Sequence, residues 1–265
     1  MKTILITGST DGVGKLTAMK LAQNGHQILL HGRNPEKLEN TLSAVKEKTS
    51  NENIHGFVSD LSDFGSIEKM IDEISNEWMS IDVLINNAGV FKSSTLQNKD
   101  HLDMRFAVNY FAPYLLTYGL LKVLKNSSAP RIINLSSAAQ SSVSLEALKG
   151  ITPISSNEAY AQSKLALTMW SFAFAKANPN IITIAVNPGS LLNTNMVKEA
   201  YGHHWSSADK GASILCALAT SEKYNESNGT YFNNDIGTFS NAHNDAYDLQ
   251  KISQLLSETN KILKL

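Results

Sequence analysis

A tyrosine and a lysine lie four residues apart in the segment EAYAQSK, residues 158–164. In a helix, residues at positions i and i+4 are neighbours on one surface, so Tyr160 and Lys164 can act as one unit. Such a pair suits acid–base chemistry, because an ammonium group lowers the cost of ionising a nearby phenol. A chance pair on a solvated helix face is the alternative, and the rest of the sequence has to decide between the two.

A glycine-rich loop, TGSTDGVG at residues 7–14, stands between a strand-like segment and a helix-like segment. Its glycines are Gly8, Gly12 and Gly14. Glycines permit a tight turn and a close approach of the backbone to a diphosphate, which the N-terminus of the helix favours. Lys15 suggests a P-loop, but Val13 and Leu16 stand where that motif needs glycine and Ser or Thr. The loop therefore predicts dinucleotide binding.

The second strand-like segment indicates which dinucleotide binds. An NAD site places an acid near the end of this strand to bind the ribose hydroxyls. Here the strand ends LLHGRN, and the first acid is Glu36. Arg33 offers a planar fork suited to a 2′-phosphate, with Lys15 as a second cation. We therefore predict NADP as the cofactor over NAD, the alternative being a solvated arginine in a turn.

Six short runs rich in Ile, Leu and Val have the length of strands buried on both faces. They are TILIT, HQILLH, IHGFV, IDVLI, RIINL and NIITIAV. Segments of helical periodicity lie between them, for example VGKLTAMKLAQNG and NPEKLENTLSAVKEKT. Alternating strands and helices predict an α/β fold, a single doubly wound domain over residues 1–265 with a central parallel sheet flanked by helices on both faces.

Composition limits the partners. Lys and Arg number 23 against 24 Asp and Glu, which gives no attraction to nucleic acid. No apolar run reaches the roughly 18 residues of a membrane span, so we expect a cytoplasmic protein. The single cysteine, Cys216, has the apolar neighbours of a core residue. His203 and His204 are adjacent with no acidic or cysteine cluster beside them, so we predict no metal site.

Several motifs now follow one another in the order of a known family. They are TGSTDGVG, NNAG at 86–89, VNYFAP, RIINLSS, YAQSK and NPG. Together they resemble those of the short-chain dehydrogenase/reductase family, of the non-extended type with a Rossmann fold, as far as about Thr194. The insertion between Ser137 and Tyr160, and GTYFNNDIG near the C-terminus, resemble the retinol-dehydrogenase-like branch.

The resemblance implies hydride transfer between a nicotinamide and a carbonyl or alcohol. Tyr160 would be the general acid in reduction and the base in oxidation. Lys164 would assist Tyr160 and hold the nicotinamide ribose. Ser137 would hold the substrate oxygen, with Ser136 as an open alternative. Asn109 would steady a water that connects Lys164 to solvent, or would only satisfy backbone groups within a helix.

The same matching implies a set of cofactor-binding residues, some of them shared with catalysis. They are Gly8, Ser9, Thr10, Gly12, Val13, Gly14, Arg33, Asp60, Leu61, Asn87, Ala88, Gly89, Asn109, Tyr160, Lys164, Pro188, Gly189 and Thr194. Asp60 would contact the adenine, although an Asp after a strand can also be a helix N-cap. Thr194 comes one residue later than the threonine of the family pattern, where this chain has Asn193.

Three segments are expected around the substrate. The insertion at 138–159 and the loop at 195–210 would border it, with Tyr201 and Trp205 lining a pocket for an aromatic or medium-sized apolar carbonyl. The C-terminal tail, 233–265, would cover the pocket or pack on another subunit, and its apolar spacing is equally expected of a plain core-facing helix. The family resemblance suggests a homodimer or homotetramer.

Two other functions are open. A catalytically silent NADP-binding sensor or scaffold could have lost Ser137, Tyr160 or Lys164, yet all three are present. The extended relatives, which include sugar epimerases, share the tyrosine and lysine but have different glycine spacing and a larger C-terminal domain. The sequence therefore predicts an NADP-dependent carbonyl reductase or alcohol dehydrogenase.

Overall fold

The computed structural model describes residues 1–196, 198 and 206–265. Eight strands within these residues form one sheet. In chain order they are β1 (Thr3–Ile6), β2 (Gln27–Gly32), β3 (Ile54–Val58), β4 (Val83–Asn86), β5 (Arg131–Leu135), β6 (Ile182–Asn187), β7 (Thr230–Asn233) and β8 (Thr238–Phe239). The order across the sheet is β3-β2-β1-β4-β5-β6-β7-β8, and every pairing is parallel except that of β7 with β8.

Helices connect the strands. They are α1 (Gly12–Gln23), α2 (Pro35–Thr49), α3 (Phe64–Glu77), α4 (Met104–Phe106), α5 (Ala112–Gly119), α6 (Leu121–Lys125), α7 (Leu145–Leu148), α8 (Ser156–Ala177), α9 (Ala208–Thr220) and α10 (Leu249–Leu263). A π-helical turn, Ala107–Phe111, joins α4 to α5, and short 3-10 turns lie at Glu222–Tyr224 and Asn244–Tyr247. The predicted doubly wound α/β domain is confirmed, with the difference that β8 adds an antiparallel edge.

Local sequence explains where the helices begin. Asp11 accepts a hydrogen bond from Gly12 N at 2.7 Å at the start of α1. Asn34 accepts one from Lys37 N at the start of α2, whose first residue is a proline. Ser155 accepts one from Glu158 N and thereby starts α8, the helix that contains the tyrosine–lysine pair.

The side chains of the central strands alternate between two hydrophobic cores, one on each face of the sheet. Leu5 belongs to the core that α3, α5, α8 and α10 complete. Its neighbours Ile4 and Ile6 belong to the core that α1, α2 and α9 complete. All three are fully buried, each contributing about 1.5–3 kcal/mol relative to an exposed side chain. The sheet is therefore a rigid platform.

The strand order reverses between β1 and β4, which lie side by side although β2 and β3 separate them in sequence. Ligands of doubly wound folds bind outside the carboxyl ends of the strands at such a point. The glycine loop follows β1 here, and the NNAG segment follows β4. The topology therefore brings these two motifs together.

The C-terminal tail packs on the chain's own helices. Tyr110 Oη and Thr259 Oγ1 lie 2.7 Å apart in the core, and Tyr114 donates to Asn260 Oδ1 at 2.7 Å. These two bonds attach α10 to the π-helical turn that contains Asn109 and to α5. Within the residues described, no helix combines the length and the apolar character needed to cross a membrane.

Candidate active site

A cavity of about 460 Å³ lies at the carboxyl ends of β1, β4, β5 and β6. Most of the predicted cofactor residues line it: Gly8, Thr10, Gly12, Val13, Gly14, Arg33, Asp60, Leu61, Asn87, Ala88, Gly89, Tyr160, Lys164, Pro188, Gly189 and Thr194. Of the predicted site residues that the structure describes, Ser9, Asn109 and Ser137 are not among the lining residues. The fold thus gathers residues separated by more than 180 positions into one cleft.

The glycine loop is packed so closely that side chains would not fit. Gly8 has a φ of 62°, and a Cβ on it would lie 2.9 Å from Ala88 Cα. A Cβ on Gly14 would overlap Asn87 Nδ2 and Gly8 O. Asn87 Nδ2 donates to Thr7 O at 2.7 Å and to Gly8 O at 3.0 Å, which holds the loop against β4.

His31, which the sequence interpretation did not select, supports the same loop from β2. Its Nδ1 accepts a hydrogen bond from Gly8 N at 3.0 Å, and its Nε2 lies 3.0 Å from Ser59 O. Nδ1 must be unprotonated to accept, so the ring is neutral with its proton on Nε2. Burial lowers the pKa of His31 to about 4. Ser9 is fully buried and bonds the backbone of His31, so its role here is in the loop.

One end of the cavity is suited to an adenosine. Arg33, Asp60 and Leu61 line it, whereas Lys15 does not. Asp60 is not the N-cap of α3, because Asp63 fills that position. The Asp60 carboxylate instead accepts from Ser62 N at 2.9 Å in a turn beside the cavity.

A bridge that the sequence interpretation did not anticipate crosses from the glycine loop to the segment after β6. Asp11 accepts from Lys37 Nζ at 2.7 Å and from Asn195 Nδ2 at 2.8 Å. Next to it, a Cβ on Gly12 would lie 3.3 Å from Thr194 Cγ2. The predicted nicotinamide residue Thr194 thus packs on the glycine loop.

Tyr160 and Lys164 lie together at the other end of the cavity, on α8. Lys164 Nζ is 5.6 Å from the centre of the Tyr160 ring and donates to Leu135 O at 2.6 Å. The lysine is 4% exposed, and burial lowers its pKa to about 8. Phe91, a lining residue that the motifs did not reveal, packs on Tyr160 with ring centres 5.0 Å apart.

Asn109 lies in the π-helical turn and forms a reciprocal pair with the backbone of Val90. Its Oδ1 accepts from Val90 N at 2.8 Å, and its Nδ2 donates to Val90 O at 3.0 Å. Nδ2 also donates to Ser163 Oγ at 3.0 Å. A Cβ on Gly89 would lie 3.2 Å from Asn109 Oδ1 and 3.5 Å from Lys164 Nζ. The amide oxygen and the ammonium therefore approach Gly89 from the same side, the side on which a Cβ would lie.

The two serines after β5 have different surroundings. Ser136 is buried, and its Oγ bonds Lys164 O at 3.2 Å and Thr168 Oγ1 at 2.7 Å. Ser137 is half-buried, and its Oγ accepts from Ala139 N at 3.1 Å. Ser136 nevertheless lines the cavity, whereas Ser137 does not. Both serines therefore stay candidates for the ligand contact, Ser136 by its place in the wall and Ser137 by its more exposed hydroxyl.

The predicted substrate loop is described only in part. Tyr201 and Trp205, and also His203 and His204, lie outside the described residues. Of the predicted loop at 195–210, Asn195 and Met196 line the cavity. The rest of the cavity wall beside Tyr160 is largely apolar and includes Phe91, Met104 and Val108.

The donor set and the space fit a nicotinamide dinucleotide. The glycines allow a close approach, and the first turn of α1, whose amide groups have no intrahelical acceptor, lines the cavity. Arg33 provides a cation at one end, and Tyr160 and Lys164 provide titratable groups at the other. Such a cleft is typical of a nucleotide-dependent oxidoreductase.

Comparison with known proteins gives the family. The model of the short chain dehydrogenase family matches residues 2–204, so this chain belongs to that family. Retinol dehydrogenase 12 of Mus musculus is 32% identical over 87% of this chain and 77% of its own length. Polyprenol dehydrogenase of Homo sapiens is 31% identical over 76% of this chain. Retinol dehydrogenase 13 of Homo sapiens is 35% identical over 71% of this chain.

The matches to the last two proteins span only 63% and 58% of their lengths. The predicted membership of the retinol-dehydrogenase-like branch is confirmed by these relatives. A structure from Mycobacterium paratuberculosis superposes with a TM-score of 0.80 at 22% identity, covering all of this chain and 94% of its own. A short chain dehydrogenase from Shigella flexneri, solved with NADP, has a TM-score of 0.71 at 25% identity, covering 88% of this chain and 96% of its own.

Proposed function

We propose that this chain is an NADP-dependent oxidoreductase that transfers a hydride between the nicotinamide and a carbonyl or alcohol substrate. The observation that supports this most directly is the position of Tyr160 and Lys164 in the same cleft as the glycine loop. A silent nucleotide-binding protein would not need a buried lysine beside a tyrosine at the end of the cleft remote from Arg33. Family membership agrees with the oxidoreductase class.

In the proposed reduction, Tyr160 donates its proton to the substrate oxygen. Lys164 stabilises the phenolate that results, because its ammonium lies on the same face of α8, 5.6 Å from the ring centre. Ser137 Oγ donates a hydrogen bond to the same substrate oxygen. When bound, the nicotinamide supplies or accepts the hydride.

The hydrogen bonds of Asn109 limit the route by which Tyr160 regains the proton that it gives to the substrate. Both hydrogens of its Nδ2 have acceptors, Val90 O and Ser163 Oγ, so only Oδ1 has capacity left for a water. A water steadied by Asn109 would therefore donate to Oδ1 and accept from Lys164, whose Nζ approaches the same side of Gly89 as Oδ1 does. We propose this arrangement as the connection from Lys164 to solvent.

NADP is the proposed cofactor, with NAD the less favoured choice. Arg33 lines the adenosine end, and β2 ends in Gly32 with no acid in the next two positions. A guanidinium fits a 2′-phosphate in a bidentate manner. The Shigella flexneri relative, at 25% identity, was solved with NADP, which supports the same choice.

The substrate would be an apolar or aromatic carbonyl. The wall beside Tyr160 consists of Phe91, Met104, Val108 and Met196, which offer contact area and few hydrogen bonds. None of residues 138–159 is among the lining residues, so the insertion at 138–159 would border this end from outside the wall.

The predicted cytoplasmic location and the predicted homodimer or homotetramer stay predictions. Because α10 packs on Tyr110 and Tyr114, an oligomer would need a surface other than that part of the helix.

Fluorescence titrations with NADPH and with NADH, followed by a panel of aromatic and aliphatic aldehydes and ketones, test the proposal. We expect tighter binding of NADPH, and carbonyl reduction that Tyr160→Phe lowers by at least about 100-fold. Tyr118→Phe, at a partly exposed tyrosine outside the cavity, is the matched control. Reduction that persists in Tyr160→Phe would contradict the proposed role. Binding without turnover would favour the sensor or scaffold.

A further inference from the structure

The carbonyl oxygen of Ser137 receives hydrogen bonds from two side chains. Tyr231 Oη donates to it at 2.9 Å, and Gln140 Nε2 donates to it at 2.9 Å. Tyr231 belongs to β7 and is 94 residues away in sequence. Both acceptor sites of this oxygen are therefore occupied, which fixes the plane of the peptide that follows Ser137.

Gln140 also ties this turn to its surroundings. Its Nε2 donates to Ser136 Oγ at 3.2 Å, and its Oε1 accepts from His243 N at 3.1 Å. These contacts set the orientation of the amide, because an exchange of its oxygen and nitrogen would place donors against His243 N. The C-terminal tail thus contacts the serine turn through Gln140.

The hydroxyl of Tyr231 stays protonated and can therefore donate a hydrogen bond. It is only 4% exposed, and burial raises its pKa, so its hydroxyl keeps its proton across the range in which enzymes are assayed. A neutral phenol whose proton points to a carbonyl accepts no proton from the substrate and takes no part in the chemistry. Its contribution is therefore geometric.

The orientation of the Ser137 backbone controls where its Oγ lies. The side chain is short, and its Oγ is already part of a local turn through Ala139 N. Freeing the carbonyl would allow the peptide that follows Ser137 to rotate. That rotation would displace Ala139 N and so release the hydroxyl that this N–H holds. Displacements of about 1 Å can reduce rates by up to about 100-fold when a reacting group must be aligned.

We propose that Tyr231 and Gln140 are positioning residues that hold Ser137 in the orientation needed to bind the substrate oxygen. This rests on the proposed function, in which Ser137 Oγ makes that contact. Neither residue lines the cleft, and the contact that the two share is the carbonyl oxygen of Ser137, so we assign their effect to that serine.

Two variants test the contacts separately. Tyr231→Phe removes one donor with little change in shape, and Gln140→Glu replaces the other donor by a carboxylate that repels the carbonyl. Each should lower kcat about three- to tenfold, the effect of one net hydrogen bond, with the NADPH Kd and the melting temperature nearly unchanged. Tyr224→Phe is the matched control. Tyr224 is also a buried tyrosine, but its ring packs on Phe232, the neighbour of Tyr231 in β7.

A double-mutant cycle with Ser137→Ala separates positioning from general support of the fold. If Tyr231 acts through Ser137, Tyr231→Phe should lower kcat by less than about 1.5-fold in the Ser137→Ala background. The same fold-loss in both backgrounds would overturn the proposal, as would a Tyr231→Phe rate equal to that of Tyr224→Phe.

The cycle is measured on the carbonyl that the wild type reduces fastest, together with Tyr160→Phe. Loss of activity in Tyr160→Phe with full activity in Ser137→Ala would leave the proposed hydride transfer and the role of Tyr160 in place. It would overturn the substrate contact of Ser137 and with it the positioning. Full activity in Tyr160→Phe would overturn the proposed function. The positioning would then be judged only by whether the fold-loss in kcat caused by Tyr231→Phe disappears in the Ser137→Ala background. If no carbonyl is reduced, both proposals are wrong.

Discussion

Replacing His31 by glutamine should make the protein less sensitive to acid. The neutral ring accepts a hydrogen bond from Gly8 N and bonds Ser59 O, and burial lowers its pKa from 6.5 to about 4. Below pH 6.5 the unfolded chain therefore binds a proton that the folded chain does not bind until about pH 4. Acid thus favours the unfolded state in this window.

The magnitude follows from the two pKa values. At about 1.4 kcal/mol per pH unit, their separation amounts to about 3 kcal/mol lost between neutral pH and pH 4. The same relation gives a loss of about 2 kcal/mol between pH 7 and pH 5, which is large against a typical stability of 5–15 kcal/mol. Glutamine does not titrate, so His31→Gln should be without this loss.

Urea unfolding at pH 7 and pH 5 provides the measurement. The quantity compared is the change in the free energy of unfolding between the two pH values, so a constant destabilisation of the variant does not matter. His55→Gln is the control, because His55 is an exposed histidine on the neighbouring strand β3. If His31→Gln loses as much stability as the wild type between pH 7 and pH 5, the buried neutral ring is not the cause.

Two more predictions concern the cofactor. The value of kcat/KM for NADPH should fall as the pH rises through about 8, because Lys164 loses its charge there; initial rates between pH 6 and 9 check this, and a flat profile would contradict it. Gly14→Ala should weaken NADPH binding at least about tenfold, since its Cβ would overlap Asn87 Nδ2 and Gly8 O. Fluorescence titration measures that loss, and Gly65→Ala, whose Cβ would have ordinary contacts, should bind as the wild type does.

Much of the fold was accessible from the sequence because the signals are local. The apolar runs that became β1, β2, β4, β5 and β6 are buried on both faces, so their composition differs plainly from that of their neighbours. The expectation of burial on both faces is wrong for β3, which lies at the edge of the sheet with three of its five residues exposed. The strands β7 and β8 were not predicted, since they have four and two residues and neither forms an apolar run. Their place depends on pairing with β6 and with each other.

In the candidate site too, some residues were predicted from the sequence and others were not. The glycine loop and the tyrosine–lysine pair were found because each lies within a few consecutive residues, and their shared cleft was predictable from the topology rule for parallel sheets. His31 and Phe91 were missed because nothing in their neighbours marks them: one is a strand residue and the other follows NNAG. Their importance comes from contacts with Gly8 and Tyr160, which lie far away in the chain.

The sequence by itself determined the fold class, the family and the residues suited to acid–base chemistry, because apolar periodicity and short motifs are properties of neighbouring residues. Only the tertiary structure decided how the two serines differ and what holds them. Ser136 is buried by α8, and Ser137 is held by Tyr231 from β7 and by Gln140, which also contacts His243. Hydrogen bonds between residues about 100 positions apart leave no pattern in a single sequence, since they depend on how the sheet and the tail bring those residues together.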